Sequence, residues 1–132
     1  KLKIALASDD FEKAKASGVA MNNSLGKIDM NLFKGDAHSL WMQQSTALKP
    51  SLQHIEHLGD IKAIRGKFIS ISNLMIAIAE SFAPLSTAIY IQNCPMADSN
   101  KGADWLSLDK EIQNPYFGES MLSCGENTKT IK

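Results

Sequence analysis

The chain has 132 residues, of which 44% are hydrophobic and 21% are charged, a composition typical of one globular domain rather than of a disordered segment. Fourteen basic and fourteen acidic residues cancel, and no basic cluster is present, which argues against nucleic-acid binding. No apolar run approaches the roughly 20 residues needed to span a bilayer, so no transmembrane segment is predicted.

The first long helix is predicted after a short helical start at residues 1–6. That start contains no Met and reads like the middle of a helix, so we expect the sequence to be a trimmed piece of a longer precursor whose export signal was removed. Ser8 or Asp9 is the predicted cap of the long helix, with Glu12 completing a capping box for Asp9. Apolar or small residues then recur at steps of three and four up to Gly35. They are Phe11, Ala14, Gly18, Met21, Leu25, Ile28 and Leu32.

The second long helix is predicted to be capped by Asp36 and to end before Gly59. Its stripe consists of Ala37, Trp41, Gln44, Leu48, Leu52, Ile55 and Leu58. Pro50 lies inside this stripe and removes a backbone donor, so a kink or break is expected near residues 47–49.

The third long helix has the clearest periodicity, from a predicted cap at Asp60 to a stop at Pro84. Its stripe consists of Ile61, Ile64, Phe68, Ile71, Met75, Ile78 and Phe82. Short connections at Gly35 and Gly59 favour antiparallel neighbours. The sequence therefore predicts a mainly α fold, an up-and-down antiparallel bundle of three long helices plus a partial fourth.

The remaining residues, 85–132, have a different composition and predict a small irregular or β-containing cap packed on the bundle. Residues 87–92 are β-branched and aromatic and predict a short strand, with which residues 128–131 would pair. Such pairing would bring Cys94 and Cys124 towards each other. We therefore expect residues 1–132 to form a single domain, with the bundle at 1–84 and the cap at 85–132.

The cap contains both cysteines, each with a methionine close by, in Cys94-Pro95-Met96 and in Met121-Leu122-Ser123-Cys124. Thiolates and thioethers are soft ligands that favour Cu(I), so these four side chains are the predicted metal site. Two alternatives stay open at this point. The cysteines could form a disulfide that stabilises the cap, or they could remain unpaired thiols with the methionines as core filler.

His54 and His57, three residues apart on the predicted second helix, are a weaker candidate metal pair. They lack an evident third ligand. The alternative is that both histidines simply lie on the solvent-exposed flank of the helix. The acidic residues of the cap lack the alternation of a calcium loop and are expected to be surface charge. No nucleophile elbow or phosphate loop is present, so the sequence predicts no enzyme activity.

Segments 90–97, 100–107, 110–118 and 121–125 together resemble an uncharacterised, exported bacterial domain family of unknown function. That family occurs alone, as secreted proteins or lipoproteins, and fused to periplasmic adaptors of copper- and silver-type heavy-metal efflux pumps. The Cys-Pro-Met triplet is similar to one in the metal-binding modules of such adaptors. In those modules a histidine usually follows the methionine, whereas this chain has Ala97 at that position.

The resemblance implies an extracytoplasmic protein, periplasmic or secreted and in some members lipid-anchored, that is linked to copper or related metals. Because they occupy the positions of the motif, the resemblance implies that the metal ligands are Cys94, Met96, Met121 and Cys124. The predicted function is a non-enzymatic module that handles Cu(I) or another soft heavy metal, with an efflux adaptor or other envelope protein as partner. The alternative is a structural or protein-interaction domain with a Cys94–Cys124 disulfide.

Overall fold

The computed structural model describes all 132 residues, Lys1–Lys132. The chain is mainly helical, and a three-stranded antiparallel sheet lies at its C-terminal end. The α-helices are α1 (Leu2–Ala7), α2 (Phe11–Gly26), α3 (Asp36–Leu52), α4 (Ile61–Phe82) and the single turn α5 (Ala97–Asn100). The strands are β1 (Ile89–Cys94), β2 (Ala103–Ser107) and β3 (Glu126–Ile131). Short 3₁₀ turns occupy Met30–Leu32, Ile55–His57 and Gly118–Met121.

The starts of α2 and α4 are set by aspartates that accept backbone hydrogen bonds, whereas the predicted cap Asp36 is the first residue of α3 and follows Gly35, which has no side chain to cap with. Asp60 caps α4 as predicted, because its carboxylate accepts from the Ala63 N–H at 2.8 Å. The cap of α2 is Asp10, which accepts from the Lys13 N–H at 3.0 Å, so the predicted cap at Ser8 or Asp9 was wrong by one or two residues. Asp9 instead takes a left-handed conformation at φ 56° and bonds to other parts of the molecule.

Two predicted helix ends differ from the structure. Helix α2 stops at Gly26 rather than near Gly35, because Asp29 begins a separate 3₁₀ turn by accepting from the Asn31 N–H at 2.9 Å. Leu32 is consequently 77% exposed and takes no part in the predicted stripe. Helix α3 continues through Pro50 to Leu52 instead of breaking at residues 47–49. The missing donor of a proline near the end of a helix costs only one bond of the last turn.

The apolar stripes of α3 and α4 are buried against each other as predicted. Trp41 near the start of α3 lies edge-on to Phe82 at the end of α4, with ring centroids 6.2 Å apart, so the start of one helix contacts the end of the other. Gln44 donates to the Ser81 hydroxyl at 3.4 Å at the same end. Burial of each large apolar side chain in such a contact stabilises the fold by roughly 1.5–3 kcal/mol.

The sheet has the order β2–β1–β3, with β1 in the centre and antiparallel to both neighbours. Its pairing with β3, in which Ile89 lies opposite Ile131, confirms the predicted contact between the first strand and the end of the chain. Strand β2 was not predicted. It packs on α4, and its Trp105 is fully buried. One hydrophobic cluster therefore includes Trp105 and Cys94 of the cap together with Ile64 and Phe68 of α4.

Candidate functional site

The last residue of β1 places one thiol in the core. Cys94 pairs with Ala103 across the sheet and is completely buried. Directly after it, the chain leaves the strand through Pro95 and Met96 into α5, where Asp98, Ser99 and Asn100 all have φ between 53° and 66°.

The second thiol is positioned by the irregular segment before β3. Cys124 follows the 3₁₀ turn Gly118–Met121, and its N–H donates to the Met121 carbonyl at 3.0 Å. Asn114, which is fully buried, holds this segment in place. Its side-chain amide donates to the Cys124 carbonyl at 2.8 Å, and its own N–H donates to the Leu122 carbonyl at 2.8 Å.

A glycine allows the two segments to meet. Gly125 has φ 141°, and a Cβ at this position would lie 2.8 Å from the Asn93 carbonyl oxygen and 3.1 Å from the Trp105 ring. Because only a residue without a side chain fits there, the backbone beside Cys124 comes against the end of β1. The two Sγ atoms lie 3.5 Å apart. The predicted approach of the cysteines is thus confirmed.

The surroundings of Cys124 do not favour its thiolate form. The hydrogen bond to Cys94, then burial and the charge of Cys94, raise the pKa of the Cys124 thiol above its ordinary range. No Lys, Arg or His forms an ion pair or hydrogen bond with either sulfur. Reactive cysteines lie in electropositive surroundings that lower the thiol pKa, whereas the surroundings of Cys124 keep its thiol protonated at neutral pH.

The predicted thioether ligands lie less favourably than the thiols. The Met96 side chain is 48% exposed, and Met121 is partly buried at the end of its 3₁₀ turn. No group of three or more His, Cys, Asp or Glu side chains is arranged to hold a metal ion. The donor set that the structure brings together is therefore the two thiols. Since metal–sulfur bonds are about 2.3 Å long, sulfurs at this separation can both reach one ion.

The histidine pair lies outside the predicted helix, because α3 ends at Leu52. His54 precedes the 3₁₀ turn Ile55–His57, and His57 is its last residue. Residues three apart lie on the same side of such a turn, and the imidazole centroids are 6.2 Å apart. Both side chains are exposed, and His57 is within 3.5 Å of the Glu56 carboxylate. This is the arrangement of a solvated surface turn.

Two site residues were not singled out from the sequence. Gly125 follows Cys124 directly, and the Cys-Gly dipeptide was the available signal for a close backbone approach. Asn114 precedes Pro115 in a segment that reads as a turn, and nothing in that pattern marks it as a buried hydrogen-bonding centre.

None of the helices combines the length and the hydropathy that crossing a bilayer requires. Comparison with protein families matches residues 1–87, about two thirds of the chain, to a family described as "Protein of unknown function (DUF3347)". The match ends before β1, so both cysteines lie outside it. No curated protein matches the chain, and no solved structure does. Because the family match covers more than half of the sequence, the chain belongs to the DUF3347 family, as its resemblance to a family of unknown function predicted.

Proposed function

We propose that this protein is a non-enzymatic, extracytoplasmic module that binds a soft heavy metal, Cu(I) first, through the thiolates of Cys94 and Cys124. The observation that carries the proposal is the 3.5 Å separation of the two Sγ atoms. Met96 and Met121 would act as supplementary thioether ligands, because Met96 follows Cys94 by two residues and Met121 ends the turn that leads to Cys124. Thiolate and thioether donors select Cu(I) over harder ions.

The arrangement suits a metal that is passed on rather than retained. Cys94 is completely buried, whereas Cys124 is partly exposed, so a metal bound between them has one accessible side. A site of two thiolates leaves room for a donor from another protein, which permits transfer by ligand exchange. Binding requires loss of the thiol protons, so the raised pKa of Cys124 makes uptake dependent on pH.

The proposed transfer partner is a periplasmic efflux adaptor or another envelope protein. Support comes from the resemblance of the cap to domains fused to such adaptors and from the soft donor set. In this proposal the helices form an up-and-down bundle whose outer surface faces the partner. The contact between the start of α3 and the end of α4 supports that arrangement.

The test is an anaerobic titration of the fully reduced protein with Cu(I) against a competing chelator. Stoichiometric binding is expected, with strong loss in Cys94→Ser and Cys124→Ser. Met96→Leu should weaken binding by a smaller factor, whereas Met30→Leu, at a similarly exposed methionine remote from the thiols, should not. Unchanged Cu(I) affinity after substitution of both cysteines would refute the proposal.

The second candidate is a structural or protein-interaction domain in which the cysteines form a disulfide. The same sulfur contact favours it, together with the absence of a third His, Cys, Asp or Glu ligand. Closing the loop between the two positions would stabilise the fold by about 3–4 kcal/mol in the chain-entropy description. A mass gain of two hydrogens on reduction, with no metal uptake by the reduced protein, would establish this function instead.

A further inference from the structure

The helical part contains a second feature with the properties of a ligand site, remote from the cysteines. An apolar cavity of about 390 Å³ lies between α2, α3 and α4, and none of its twelve lining residues is charged. Aromatic rings form one wall. Phe33 stacks on Trp41 with centroids 5.1 Å apart, and Phe82 stands edge-on to both. Ligand pockets in proteins are typically of 300–1,000 Å³ with such apolar and aromatic walls.

Two neighbouring pockets share part of the lining of this cavity. Towards the sheet, Met75, Ile78 and Pro84 also line a smaller apolar cavity of about 250 Å³, again without a charged residue. Two neighbouring apolar cavities that share three lining side chains offer apolar surface for a hydrocarbon chain.

A second neighbouring pocket is polar and carries one charge. Leu25, Ile28 and Trp41 line both the apolar cavity and this open pocket of about 560 Å³. Asn22, Asn23, Ser45 and Thr46 contribute amides and hydroxyls to that pocket, and Lys49 is the only charged residue in its wall. A molecule that extends from one cavity into the other would place its polar end beside an ammonium group, with no carboxylate nearby in the wall to oppose an anion.

We propose that the apolar cavity and the polar pocket beside it together bind a single-chain anionic amphiphile, a long-chain carboxylate, with its hydrocarbon tail between α2 and α4 and its carboxylate beside Lys49. Desolvation of the tail supplies most of the affinity, because each buried methylene contributes separately. The polar pocket supplies the preference for an anionic head group. This binding function is independent of the proposed metal site.

The test uses the intrinsic fluorescence of Trp41, since the other tryptophan, Trp105, is completely buried in the cap. Dodecanoate, added below its micelle concentration, should change the emission saturably, and the change should disappear in Trp41→Phe. Octanoate should bind at least about tenfold more weakly, because it has four fewer methylenes to bury. Dodecanol and the dodecyltrimethylammonium cation should also bind more weakly than dodecanoate.

Variants separate the head-group contribution from that of the cavity. Lys49→Glu should weaken dodecanoate binding about tenfold and should leave dodecanol binding unchanged. Lys67→Glu, at an exposed lysine of α4 that lines none of the three cavities, is the matched control and should have no effect. Met75→Phe, which fills the junction of the two apolar cavities, should weaken both ligands.

Two results would overturn the proposal with the wild-type protein alone, whatever the folding of the variants. An absence of saturable binding by dodecanoate would show that the cavity does not bind such a ligand. Equal affinity for dodecanoate, dodecanol and the dodecyltrimethylammonium cation would show that the site does not prefer an anionic ligand.

Discussion

At the scale of single residues, the candidate site depends on Gly125 as much as on the cysteines. Its φ of 141° and its contact with the Asn93 carbonyl permit no side chain. The neighbouring Cys124 sulfur reaches Cys94 only because the backbone comes this close.

Gly125→Ala should therefore destabilise the fold by about 1–3 kcal/mol, through steric overlap and an unfavourable φ, and should separate the two sulfurs. Denaturant unfolding and the Cu(I) titration measure the two effects. Gly66→Ala is the matched control, because nothing lies within 4 Å of a Cβ at that exposed position in α4. It should stabilise by up to about 1 kcal/mol. Equal behaviour of the two variants would contradict the role given to Gly125.

Asp9 joins three parts of the molecule. One carboxylate oxygen accepts from the Arg65 guanidinium of α4 at 2.7 Å, and the other accepts from the Glu119 N–H of the cap at 2.9 Å. Arg65 also donates to the carbonyl oxygens of Leu6 and Pro115. A Cβ at Gly118 would overlap the Asp9 carboxylate, so this junction has no spare space.

The hydrogen bond from Arg65, followed by that from the Glu119 N–H, lowers the pKa of Asp9. A lowered pKa in the folded state means that the resulting stability is present above the ordinary aspartate range and is lost as the pH falls through the folded value. Asp9→Asn should therefore cost about 1 kcal/mol at neutral pH, since the carboxylate is 42% exposed, and the difference from wild type should shrink in acid below about pH 4. Unfolding curves across that range test this, with Asp109→Asn as the control. A difference that stayed constant with pH would refute it.

At the scale of elements, periodicity predicted the helices well and their ends less well. The stripes of α3 and α4 were found because a long row of apolar residues at every third or fourth position is typical of a buried helix face. The end of α2 was missed, because Ile28 and Leu32 continue the period in sequence while Asp29 starts a new turn. Strand β2 was missed since it has only five residues and its single large buried side chain is Trp105.

The turn α5 is the most strained element, with three consecutive non-glycine residues in the left-handed region. Ser99 has φ 55° and makes no side-chain hydrogen bond that would compensate. Ser99→Gly should therefore raise the free energy of unfolding by about 0.5–1 kcal/mol. Ser70→Gly, at an exposed position in the middle of α4, should lower it by a similar amount. Chemical denaturation of both variants decides whether the strain is real; a loss of stability in Ser99→Gly would argue against it.

The site itself was only partly predictable. Residue types gave the four candidate sulfur ligands, and the predicted strands gave the approach of the two thiols. The relative positions of Met96 and Cys124 depend on turns whose geometry is set by distant contacts such as the Asn114 side chain. Contacts between residues far apart in the chain produce no periodic pattern in a single sequence, so they could not be predicted from it.

At the scale of the whole molecule, the hydrophobic core extends beyond the family match. The match ends at residue 87, but Cys94, Ala103 and Trp105 belong to the same cluster as Phe68 and Ile71 of α4. The polar contacts of Arg65 cross the same boundary.

A protein consisting of residues 1–87 should therefore lack a cooperative unfolding transition. Removing β2 exposes apolar residues of α4, each worth roughly 1.5–3 kcal/mol, against a total stability of about 5–15 kcal/mol for a domain of ordinary size. Calorimetry and near-ultraviolet circular dichroism, with the full chain as reference, measure this. A sharp transition with retained aromatic signal would show that the helices fold alone.

The shared cluster also has an evolutionary consequence. Any relative that keeps the helices but not the segment after residue 87 must cover the same apolar surface of α4 with other residues. The helices are then the shared part of such relatives, and the covering segment is the part whose side chains can differ. In this chain that segment brings two sulfur atoms together, whereas a different covering segment would place other side chains beside the same helices.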